Sequence, residues 1–240
     1  MTWLGLPFTH GGLIAVSVAT TAAVLMWDRG RWPLGLFVSP RLAVPEFFFG
    51  SVFGAVLIAS CALLVVLTTD VRHERGTGFP WLEVAVLYLP AVVHEELLFR
   101  GYAFQKLHAW NRLVALLAIA ILFAALHMSN MAVSWLGLTN IFLGGLLLGL
   151  AYERYGRLWF PIGLHLAWNL TSGPILGHEV SGYDSMATIF VERGGGPWWL
   201  TGGDFGIEGS VWMTAVEIAG IAFLAIRGKR KEEGEKRPPP

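Results

Sequence analysis

The chain has 240 residues, of which 55% are hydrophobic and only 14% charged. A soluble domain carries about 25% charged residues, and nine of the 34 charges here fall in the last 14 positions, leaving about 11% for the rest. This excludes a disordered chain, a nucleic-acid binder and an ordinary cytosolic enzyme, and it predicts an all-α, polytopic transmembrane bundle.

A spanning helix needs about 20 mostly apolar residues. Residues 8–27 supply the first, ending at Trp27-Asp28-Arg29. No Lys or Arg occurs in those first 27 residues and no small-residue cleavage site follows, so the stretch reads as a span and not a signal peptide. The segment 32–46, with Pro33, Pro40 and Pro45, reads as a loop or interfacial piece. Residues 47–69 are uncharged and form the second span. They hold the single cysteine, Cys61, an inert buried thiol that leaves no internal disulfide and no Cys-based zinc site. The third span begins near Pro80 and runs past Glu95 and Arg100 toward Leu107. Residues 113–152 contain no Asp, Glu, Lys or Arg. That is about 60 Å of helix, or two spans with a turn near Met128-Ser129-Asn130. Residues 158–173 make the sixth span and 210–226 the seventh. The Gly-rich stretch 174–209 between them reads as an exposed loop, with Trp198 and Trp199 near the interface. Residues 1–226 thus form one transmembrane domain and 227–240 a basic, disordered tail. No internal repeat is present.

Lys/Arg asymmetry sets orientation. With the N-terminus outside, thirteen basic residues lie inside, among them Arg29, Arg41, Lys106, Arg112, Arg154, Arg157 and six of the tail, against three outside, Arg72, Arg75 and Arg193. Seven spans, N-out and C-in, in the cell membrane are expected.

Charged groups at bilayer depth cost about 2.5–3.5 kcal/mol each on insertion scales, and persist when paired or facing a wet cavity. The run His94-Glu95-Glu96-Leu97-Leu98-Phe99-Arg100 places three at such a depth. Helical spacing puts Glu96 and Arg100 on one face, four apart, where an ion pair forms. Glu95 points about 100° away and lacks that partner. Pro90, five residues upstream, is expected to kink the span and admit water. His127 sits in the fourth span, and His165 and Asn169 share a face of the sixth. A carboxylate to take a proton from water, with donors for an oxyanion, is what hydrolysis needs. Glu217 in the last span has no helical Lys or Arg neighbour, which leaves its role open. His10, His73, His108 and His178 read as solvated, at span ends or in loops. Gly50-x-x-x-Gly54 and Gly145-x-x-x-Gly149 fit close helix packing within the bundle.

These residues carry a resemblance. Glu95-Glu96-x-x-x-Arg100, with Phe99 before the Arg and Gly101 after it, resembles the first motif of the CPBP intramembrane proteases. This is the CAAX-protease and bacteriocin-processing group that includes the Rce1-type prenyl-protein endopeptidases. Phe123-x-x-x-His127 is similar to the second motif and His165-x-x-x-Asn169 to the third, the match covering about residues 90–170. The resemblance implies a membrane endopeptidase in which Glu95 and His127 activate water. His165 and Asn169 then hold the oxyanion, while Glu96 and Arg100 support the site. It implies a membrane-associated or lipidated protein or peptide as substrate, and a fold commonly given eight spans. Two mechanisms stay open. Zinc held by His127, His165 and Glu95 fits the two-His, one-carboxylate pattern; the reading favours water activated by Glu95 without metal. Counted along the spans, Glu95 and His165 fall roughly 10 Å from the inner face and His127 nearer the outer one. Rival readings are a proton-coupled transporter, which no repeat pair of broken helices supports, and a non-catalytic scaffold or immunity protein.

Overall fold

The computed structural model describes residues 38–228, together with 19, 22, 35 and 36. The expected first span, 8–27, His10 and the tail beyond 228 lie outside the described residues. Among those described, seven helices exceed eight residues: α1 (Pro40–Thr68), α2 (Leu89–Arg100), α3 (Tyr102–Trp110), α4 (Arg112–Leu126), α5 (Trp135–Tyr155), α6 (Trp159–Leu170) and α7 (Val211–Gly228). Two four-residue strands, β1 (Arg72–Arg75) and β2 (Phe190–Arg193), pair antiparallel. The all-α bundle is as expected. Three helices are long and apolar enough to cross a membrane: α1, α5, and α4 with the 3-10 turn His127–Ser129. The apolar part of α7, Val211–Ile226, is shorter.

Local sequence explains where helices start and stop. Asn111 and Ser134 cap α4 and α5 with side-chain oxygens on Val114 N and Gly137 N, both at 3.0 Å. Gly156, at φ +63°, ends α5 in the left-handed conformation that favours glycine. The turn between fourth and fifth spans falls at His127–Ser129, where the sequence put it.

Two expectations are corrected here. The segment 32–46 is not a loop throughout, because α1 begins at Pro40 and carries Pro45 inside it. Pro40 stands in the first turn, where proline is tolerated, and Arg157 makes a bidentate ion pair with Glu46 that anchors this end next to Pro45, at 2.9 and 3.0 Å from Nε. The third span is not one kinked α-helix. A turn Trp81–Glu83 leads into a π-helical segment, Val84–Tyr88, and only then into α2, with Pro90 in its first turn. The wider π turn absorbs the proline's missing N–H where a kink was expected. The helix then ends at Gly101, and α3 folds away.

The small-residue pairs work inside the chain. A Cβ on Gly50 would lie 2.1 Å from Phe160 O, one on Gly54 2.2 Å from Leu164 O, and one on Gly163 2.2 Å from Phe47 O. Backbones of α1 and α6 therefore touch along their length, as small-xxx-small seams do. Gly145 sits the same way on Ala120, joining α5 to α4.

The described histidines read as solvated, His73, His108 and His178, all have side-chain partners. His178 is buried, its Nδ1–H donating to Glu192, and its Nε2 lies 3.1 Å from Nε2 of His73. His108 pairs with Glu153 at 2.8 Å. In the β1–β2 unit, burial and then the neighbouring His178 hold His73 below its usual 6.5, partly offset by Glu192. Above pH 6.5 neither folded nor unfolded His73 binds a proton and stability is full. As pH falls the unfolded ring protonates first, so stability is lost through the folded pKa. Backbone amides of 72–75 and 190–193 should therefore exchange faster, after intrinsic correction, as pH drops below 6.5. His73→Gln should flatten that dependence, and equal protection at pH 7.5 and 5 in wild type would contradict it.

Candidate active site

Helix α2 delivers Glu95, Glu96 and Arg100, and the four-residue spacing does what the sequence predicts. Arg100 Nη1 donates to Glu96 Oε1 at 3.1 Å, with both side chains 0% exposed. Arg100 Nη2 also donates to Gly145 O at 3.2 Å, and its guanidinium lies over the rings of Phe123 and Phe99. From α6, His165 Nδ1–H donates to the same Glu96 Oε1 at 2.8 Å. Glu96 is thus a shared acceptor that fixes a cation on one side and an imidazole on the other. Such a buried ionic unit contributes defined geometry more than net stability. Glu96 Oε2 and Arg100 Nε have no hydrogen-bond partner among the described residues.

Glu95, turned off that face, keeps 22% of its side chain exposed and lies 3.7 Å from His165 Nε2. The His165 ring therefore bridges the two carboxylates, one at each nitrogen. His127 closes α4, where its Nδ1 lies 2.7 Å from Phe123 O. A carbonyl only accepts, so Nδ1 carries a proton and donates it. Phe123 packs on both histidines, with ring centroids 4.6 Å from His127 and 6.3 Å from His165. Glu95, His127, His165 and Asn169 all line one cavity of about 160 Å³. His127, which counting along the spans put nearer the outer face, lines the same cavity as Glu95 and His165.

The structure adds residues that the sequence did not mark. The stretch 174–209 is not an exposed loop: Phe205 and Ile207 are 0% exposed, and the segment closes over the cavity. Glu208 organises it, accepting from Trp168 Nε1 at 2.7 Å, Ser181 N at 2.6 Å and Ser181 Oγ at 2.7 Å. Asn140 on α5 donates to Glu208 O and Ser210 O, and Asn130 to Ser181 O. Tyr88 meets Ser185 at 2.6 Å, and Glu83 accepts from Met186 N at 2.9 Å. Asn140 had a signal, being polar within the uncharged 113–152 run. Glu208, within Gly206-Ile207-Glu208-Gly209, had none.

His127, His165 and Glu95 are the candidate zinc ligands. Among the described residues no group of three or more His, Cys, Asp or Glu side chains converges to hold a metal ion. His165 Nδ1 is bonded to Glu96 and His127 Nδ1 to Phe123 O, which leaves Nε2 as the ligating nitrogen of each ring, the pattern of metal-bound histidines. These hydrogen bonds suit either mechanism.

No curated protein and no solved structure matches the chain significantly. A family model does, over the π segment, α2 to α5 and α6: residues 77–171 match "Type II CAAX prenyl endopeptidase Rce1-like". That match takes in Glu95, Glu96, Arg100, His127, His165 and Asn169, and the family is one of membrane endopeptidases. Over residues 77–171 this integral membrane protein is thus similar to the Rce1-like, type II CAAX prenyl endopeptidase family.

Proposed function

We propose that this protein hydrolyses a peptide bond of a membrane-associated protein or peptide, as in CAAX-type processing, with water activated by Glu95 and His127. The observation that carries the reading is the convergence of a partly exposed Glu95, His127 and His165 on one cavity. Glu95 takes a proton from water as its oxygen bonds the scissile carbonyl carbon, and His127 Nε2 accepts the water's other hydrogen bond. Negative charge grows on the carbonyl oxygen, where the Asn169 amide and a doubly protonated His165 donate. Glu96 orients His165 and, with Arg100, holds α2 in place. As the C–N bond breaks, the proton on Glu95 passes to the departing amine, giving a free carboxyl and a free amine.

The reading also fits a lipid-anchored substrate, since the motif helices carry their polar groups inside an apolar bundle. The proposed mechanism is metal-free, with Glu95 itself as the base. Membranes holding the protein should release a peptide, seen by mass spectrometry, that membranes lacking it do not. Release should survive exhaustive chelation of the purified protein. Stoichiometric zinc that leaves in step with activity, and restores it on return, would refute the metal-free part.

The basic-residue bias supports a cytoplasmic C-terminus and an N-terminus outside. Reporter fusions after Arg227 and within 181–208 should report opposite sides of the membrane. The same side at both sites would overturn this topology.

A further inference from the structure

The mechanism leaves one buried carboxyl unused. Glu217 on α7 is 1% exposed and lines the same cavity as Glu95 and His165. Its Oε2 has no hydrogen-bond partner among the described residues. Nor does any described salt bridge reach it, although every other buried Glu except Glu83 and Glu208 has a cationic or imidazole partner. Those two exceptions are satisfied by N–H and O–H donors. An unmet buried carboxyl is expensive to keep unless something in use completes it.

The surroundings say what would complete it. No Lys or Arg is among the described residues that line the cavity, whereas Glu83, Glu95, Asp184, Glu208 and Glu217 all do. Several carboxylates in a low-dielectric recess focus a negative potential that draws in a cation. Opposite Glu217 on α5 stands Gly144, where a Cβ would come within 3.2 Å of Glu217 Oε1. The missing side chain leaves space beside the carboxyl at this point, one turn beyond Asn140. Asn140 Oδ1 is already occupied by Thr214 at 2.6 Å, so it does not turn to serve Glu217.

We propose that Glu217 is the specificity carboxylate of a subsite, floored by Gly144, that takes a basic side chain of the cleaved chain. A lysine or arginine brings the cation and the N–H donors that Glu217 lacks, and its methylene stem suits the apolar walls of Leu147 and Ile141. The inference rests on the peptidase reading for the identity of its ligand, but the subsite can be tested without catalysis.

The binding arm uses decylguanidinium, with decanol as its uncharged control, on purified wild type and Glu217→Gln in detergent. The variant should fold as wild type does, because the amide keeps the shape and removes an unpaired carboxyl. Decylguanidinium should raise the melting temperature of wild type and leave the variant unmoved, while decanol acts equally on both. Equal shifts of the two proteins by the guanidinium would overturn the subsite. The cleavage arm uses membrane-anchored peptides that differ only by Lys, norleucine or Glu in the residues flanking the cut. Wild type should cleave one lysine peptide at least about tenfold faster than its norleucine twin, the scale of a charged hydrogen bond. Glu217→Gln should lose that preference and keep its rate on norleucine. A lysine preference that survives in the variant, or none in wild type, would overturn the proposal. Glu217-dependent guanidinium binding without cleavage of any peptide would instead retire the peptidase reading alone.

Discussion

Replacing Glu95 by Gln should lower cleavage at least about 100-fold, the lower end of what general-base catalysis contributes, while expression and melting temperature stay near wild type. The side chain is the exposed member of the pair, and its closest described cation is His165 Nε2 at 3.7 Å, beyond hydrogen-bond reach. Glutamine fills the same volume and loses only the ability to take a proton. Little that holds α2 in place depends on it. A folded Glu95→Gln protein that cleaves at the wild-type rate would sink the mechanism and leave the fold untouched.

Its neighbour should behave in the opposite way. Glu96→Gln removes the carboxylate paired with Arg100, whose side chain is 0% exposed, and weakens the acceptor that fixes His165. Breaking a buried pair by neutralising one member costs about 3–5 kcal/mol, because the other charge stays desolvated. Denaturant titration should show a loss of that order, with activity falling in parallel through the misoriented imidazole. Glu96→Gln that melts with wild type would mean that Arg100 has found another anion. The two adjacent positions therefore separate chemistry from architecture in one experiment.

The candidate site was legible because membranes make polar residues conspicuous. Glu95, His127, His165 and Asn169 each interrupt an apolar run, and the four-residue spacing of Glu96 and Arg100 gives their pairing directly. The wall that encloses them was not legible. Residues 174–209 look solvated by composition, yet Phe205 and Ile207 are buried and Glu208 gathers donors from α6 and from Ser181. Glycine content signals turns without saying whether those turns face water or protein. The same limit hid the start of α1, where Pro40 and Pro45 argued for a loop until the long-range pair of Glu46 with Arg157 decided otherwise. Helix lengths also misled, since one polar span became a π turn, α2 and α3, broken at Gly101. Periodicity cannot see such a break when the pattern continues across it.

The glycine seam between α1 and α6 bears on how substitutions in this protein should be scored. A methyl group on Gly54 would sit 2.2 Å from Leu164 O, the carbonyl immediately before His165. To make room, the backbone that carries His165 and Asn169 must shift as a unit, because carbonyl oxygens cannot rotate out of the way as side-chain tips do. Distance from the cavity is then a poor guide to harm. A deep mutational map should show a second band of intolerance along Gly50, Gly54 and Gly163, with no chemistry of its own, tracing the rail on which half of the candidate site is mounted.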